Sequence, residues 1–77
     1  MLQAQQWAKF AILQGVGLNI SINEIKPIAA GYKESGGISW LYFKIKNQPN
    51  FDYRFDGYVL QIVNNELKTT YQIVVNK

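Results

Sequence analysis

The chain has 77 residues, a net charge of +3 from eight Lys/Arg and five Asp/Glu, and 48% hydrophobic residues with 14% aromatic. That is one domain, residues 1–77, apolar enough to fold and too weakly basic to announce a polyanion partner. It holds no cysteine and no histidine, which excludes disulfides, thiolate metal sites, and the most common general base and metal ligand.

The spacing predicts a helix over 1–14. This stretch has no Gly or Pro, and Leu2, Trp7, Phe10 and Leu13 recur at helical spacing, with Ala4, Ala8 and Ala11 alongside. Gly15 and Gly17 follow as stop signals. No basic start precedes a long apolar core, so no signal peptide is expected. No apolar run reaches the ~20 residues of a membrane span.

Leu18, Ile20 and Ile22 alternate with Asn19, Ser21 and Asn23, the pattern of a half-buried strand. The phase slips at Ile25, which predicts a β-bulge near 23–25. Pro27 belongs at an edge or near a strand end, since it has no N–H to donate. Small residues and Gly31, Gly36 and Gly37 over 28–37 predict a loop projecting beyond the sheet.

Residues 38–46 form the clearest strand, with Ser39, Leu41, Phe43 and Ile45 on the core face and Ile38, Trp40, Tyr42, Lys44 and Lys46 on the other. The helix residues Trp7, Phe10 and Leu13 are expected to press onto Leu41, Phe43 and Ile45. Residues 47–50 read as a turn, 53–63 as one long strand with a bend at Gly57, 64–66 as a hairpin connection, and 67–75 as the closing strand. The expected architecture is α+β, one N-terminal helix packed across a four-stranded antiparallel meander.

Trp7-Ala8-Lys9-Phe10-Ala11-Ile12 resembles the helix pattern of plant cystatins, and Pro27-Ile28-Ala29-Ala30-Gly31 stands where cystatins carry Gln-x-Val-x-Gly in their first hairpin loop. The element order resembles the cystatin fold over nearly the whole chain. The resemblance implies a small protein-binding domain, an inhibitor of papain-like cysteine proteases acting through Ile28, Ala29, Ala30, Gly31 and Tyr32, with Asn64 and Asn65 in the second loop. The departures are Pro27 for Gln, Ala29 for Val, no Trp in 64–66, and no N-terminal extension before the helix.

Catalysis and metal binding are not expected, and no cofactor is implied. Asp52 and Asp56 share one parity, which on a single strand sets them about 13 Å apart, too far to share a proton or a metal. Two other classes compete with the inhibitor. The row Tyr58, Leu60, Ile62 reads as an apolar face for a homodimer, with domain swapping hinged near Gly31. Trp40, Tyr42, Lys44 and Lys46 on one face would suit single-stranded nucleic acid, but acids at 52 and 56 on the neighbouring strand argue against it.

Overall fold

The computed structural model describes residues 2–75, so Met1, Asn76, Lys77 and the side chain of Leu2 lie outside the description. A helix, α1, spans Leu2–Val16, and a short 3-10 turn spans Ile22–Glu24. Five strands follow: β1 Ile25–Tyr32, β2 Ile38–Ile45, β3 Phe51–Phe55, β4 Val59–Asn64 and β5 Thr69–Val74. They form one antiparallel sheet in chain order, and α1 packs on one face of it. None of the described helices is long and apolar enough to cross a membrane.

The sheet has five strands rather than the expected four because 53–63 is a hairpin, not one strand. Asp56 and Gly57 turn the chain so that Phe55 pairs with Leu60 and Tyr53 with Ile62. Gly57 has φ 97°, the positive φ that a II′ hairpin turn needs at its first central residue. The Asp56 carboxylate accepts from the backbone N–H of Tyr58 at 3.0 Å and of Val59 at 2.8 Å, which closes the turn. Asp-Gly between β-prone runs is a hairpin signal in its own right.

The helix meets the sheet through its small residues. Ala4, Ala8, Ala11 and Ile12 are buried, and the sheet answers with Leu41, Phe43, Ile45, Tyr53, Phe55 and Leu60. Gly15 continues the stripe: a Cβ there would stand 3.2 Å from both Leu60 and Val75. A sheet face filled with large side chains leaves room only for a small-residue helix face, since interiors are packed without voids or overlap. Trp7 and Phe10 are displaced to the flank, where they meet Phe55 with ring centroids 4.7 and 6.3 Å away. Phe10 is 39% exposed, and Leu13 is exposed too. The expected seam of Trp7, Phe10 and Leu13 is therefore corrected to an alanine seam, while the sheet half of that expectation, Leu41, Phe43 and Ile45, is buried as read.

Residues 18–22 are not a strand. The end of α1 lies against β4 and β5, because Gly15 faces Leu60, Ile73 and Val75, whereas β1 is at the opposite edge. The connecting segment has to run across the strands, roughly 19 Å at the usual strand spacing, and a chain crossing strands cannot pair with them. Gly17, at φ 77° and donating to the Leu13 carbonyl at 3.0 Å, ends the helix. Ile20 is buried in the core, and Gln5 on α1 donates to the carbonyls of Ile22 and Ile25, both at 3.2 Å, which holds the returning segment in place. Of the alternating Leu18, Ile20 and Ile22, Ile20 alone is buried while Leu18 is exposed, and β1 begins only at Ile25.

Candidate functional site

The five residues read as a projecting loop lie instead in β1. Ala29 pairs with Tyr42, Ala30 with Leu41, Gly31 with Trp40 and Tyr32 with Ile38. Ile28 is the extra residue of a bulge between Pro27 and Ala29, and it is exposed. The connection itself is shorter, 33–37, closed by Lys33 donating to Gly37 O at 2.7 Å and Gly36 donating to Lys33 O at 2.9 Å. The structure also gives Gly31 a local reason: a Cβ there would lie 2.2 Å from Trp40 Nε1, so the indole rests directly over the glycine backbone. Pro27 sits on an edge strand, as its missing N–H requires.

In a meander, alternate connections share an end. The 33–37 tip therefore shares its end with the Asp56–Gly57–Tyr58 turn, while 46–50 and 65–68 share the other. At the first end α1 leaves a groove of about 360 Å³ lined by Gln3, Gln6, Trp7, Phe10 and Ile38. The Trp7 indole lies 3.4 Å from where a Gly57 Cβ would stand, so groove and turn are contiguous. Tyr32 and Tyr58 stand at this end 60% and 66% exposed. The Asp56 carboxyl is held below its usual 3.8, first by the N–H groups of Val59 and Tyr58 and then by the charge of Arg54. This end was not legible as a site in the sequence. The signal was present: alanines at 4, 8 and 11 claim the buried stripe and consign Trp7 and Phe10 to a flank.

Asn64 and Asn65 lie at the other end, apart from the first hairpin tip. The Asn64 side chain accepts from Glu66 N at 3.0 Å and Leu67 N at 3.1 Å, and so builds its own turn. Asn65 donates from its backbone to Asn50 O at 2.9 Å and from its side chain to Asp52 at 2.7 Å. Those bonds tie the two connections of that end together. Asn65, then Lys44 at 3.0 Å, lower the Asp52 carboxyl below 3.8. Tyr53 reaches the same end, donating its hydroxyl to Gln48, and burial raises its ionisation above the usual 10.0.

The row Tyr58, Leu60, Ile62 is not a surface row. Leu60 is fully buried beneath α1, Ile62 is packed against the core, and Tyr58 stands in the turn. The inversion follows from the hairpin at Gly57, which turns Leu60 and Ile62 to the helix-covered face beside Phe55 and Tyr53. The opposite face of the sheet carries Trp40 and Tyr42 with ring centroids 5.0 Å apart, and the Arg54 guanidinium lies 5.9 and 5.4 Å from them. Lys44 on that face is paired with Asp52 and donates to Pro49 O at 3.1 Å. Arg54 thus serves the rings, while Lys44 serves Asp52 and the 46–50 connection. Among the described residues, no group of three or more acidic side chains is placed to hold a metal ion.

No family model matches the chain, and neither a curated protein nor a solved structure matches it.

Proposed function

We propose that this chain is a small protein-binding domain that presents the end formed by the 33–37 tip, the Gly57–Tyr58 turn and the Trp7–Phe10–Ile38 groove to a partner protein. One observation carries the reading: exposed Tyr32, Tyr58 and Phe10 stand at the end where α1 leaves an apolar groove lined by Trp7, Phe10 and Ile38. Amphipathic aromatics around a concave apolar floor are the usual furniture of protein contacts. The single helix laid across an antiparallel meander supports the cystatin-like reading of the fold, and the partner class that reading names is a papain-like cysteine protease. A contact through this end differs from the one that the resemblance implies, since Asn64 and Asn65 lie at the other end and Ile28 to Gly31 lie in a paired strand.

The test is titration of papain and related cysteine proteases with the purified chain. Inhibition is expected, weakened at least about tenfold by Tyr58→Ala and unchanged by Asn65→Ala. No inhibition at high micromolar concentration removes the protease as partner. Inhibition lost in Asn65→Ala but kept in Tyr58→Ala puts the contact at the wrong end.

A further inference from the structure

The two edges of the sheet are unlike. The β1 edge is interrupted: Pro27 lacks an N–H, and the register shifts between Pro27 and Ala29 and again between Gly31 and Tyr32. Proline and bulges are the devices by which an edge refuses another strand. The β5 edge has none of them. Its register runs unbroken from Val59↔Val74 to Asn64↔Thr69, and Thr69–Val74, TTYQIV, contains no proline and no charged side chain. All six of its residues but Ile73 are exposed, so no described residue covers its outer edge.

The backbone at this edge is self-complementary. Val75 donates to the Tyr58 carbonyl, which makes 58 and 75 a hydrogen-bonded pair. Antiparallel pairs alternate, so residues 71 and 73 also turn their N–H and C=O toward β4, whereas Thr70, Gln72 and Val74 turn theirs to the open edge. Those three are symmetric about Gln72. A second copy, rotated about a two-fold axis through Gln72, sets 72 against 72 and 70 against 74, and all six edge groups find partners. Residues opposite each other in an antiparallel pair must share a face, and this register satisfies that condition too: Tyr71 meets Ile73 of the second copy on the helix side, and Thr70 meets Val74 on the other. Tyr71 and Val74 are 60% and 55% exposed in the single chain, and aromatic with β-branched neighbours is a favourable cross-strand pairing.

We propose that β5 is a homodimerisation edge, joining two copies antiparallel about Gln72 into one continuous sheet. The contact is isologous and therefore closed, and the interrupted β1 edge offers no site for a further copy. This proposal uses a different surface from the proposed function and stands or falls separately.

Sedimentation equilibrium up to about 500 µM tests it, because a self-association must follow concentration. The mass is expected to rise from 8.8 kDa towards twice that value. Gln72→Pro deletes an N–H that points away from β4, so the fold should persist by circular dichroism while dimerisation weakens at least about tenfold. Thr70→Lys, which sets a lysine beside Val74 of the second copy, does the same without touching the backbone. The chain has no cysteine of its own. Gln72→Cys should therefore cross-link to itself on oxidation, at the ~5.5 Å Cα separation of a hydrogen-bonded pair, which a disulfide spans. Lys26→Cys, on the other edge, should not. A chain that stays monomeric to 500 µM and gives no Gln72→Cys cross-link overturns the proposal. So does a dimer that survives both edge variants, or one that cross-links through Lys26→Cys instead.

Discussion

Gly31→Ala isolates the packing of one indole. The backbone at Gly31 is not in the left-handed region, so alanine is conformationally allowed, and in a strand it is favoured over glycine by roughly 0.5–1 kcal/mol. The obstacle is steric. The new Cβ would lie 2.2, 2.5 and 2.9 Å from Trp40 Nε1, Cε2 and Cδ1, separations that no adjustment of a few tenths of an ångström relieves. Trp40 must swing away, giving up its edge contact with Tyr42 and the Arg54 guanidinium. Overpacking of this kind costs about 1–3 kcal/mol, so after the propensity gain the net loss is up to about 2.5 kcal/mol, equal to a melting temperature lower by up to roughly 20 °C for a domain of this size. The decisive assay is a double-mutant cycle by urea unfolding. In a Trp40→Ala background the obstacle is gone, and Gly31→Ala should become neutral or stabilising. A coupling of at least about 1 kcal/mol is expected. Additive effects within about 0.5 kcal/mol would refute the account, leaving Gly31 with some role unrelated to Trp40.

Phe10→Ala should cost about 1–2 kcal/mol, because its ring is on the helix flank, against about 3–5 kcal/mol for fully buried Phe43→Ala; equal losses in urea unfolding would refute the alanine seam. Ala8→Leu, on that seam, should cost about 1–3 kcal/mol by overpacking, and a stabilised variant in thermal melts would mean the helix does not press on the sheet there. Asp52 and Asp56 are held below their ordinary 3.8 in the folded chain. Their contribution is therefore complete above that value and is lost as pH falls through the lower folded values. Asp56→Ala should lower stability at neutral pH by about 1 kcal/mol through the lost turn bonds and flatten the fall in stability below pH 3.8, which acid titration of the melting temperature measures. Lys68 has φ 55°, so Lys68→Gly should be neutral or stabilise by up to about 1 kcal/mol, and a clear loss in urea unfolding would count against left-handed backbone at that turn.

What the sequence by itself determined was local. The alternation of Leu41, Phe43 and Ile45 sets the core face of β2 without any help, because a strand with period two has one face to bury. The stop at Gly17 and the edge position of Pro27 follow from backbone chemistry alone, whereas Gly15 stays inside the helix. Tertiary structure decided three other matters. Which helix stripe faces inward depended on the size of the opposing side chains: the aromatic stripe and the alanine stripe of α1 are both legible, and only the crowded face of Phe43, Phe55 and Leu60 selects the second. Whether alternation at Leu18 to Ile22 meant a strand depended on where the helix ended relative to β1, a distance no local pattern encodes. And Tyr58, Leu60 and Ile62 belonged to the core or the surface according to whether the chain bent or reversed at Gly57. A reversal flips the strand onto new neighbours, and the same reversal brought Tyr58 to the end where Tyr32, Trp7 and Phe10 lie. The candidate site was hidden for that reason: its residues are far apart in sequence, and only the alternating connections of a five-stranded meander bring them to one end.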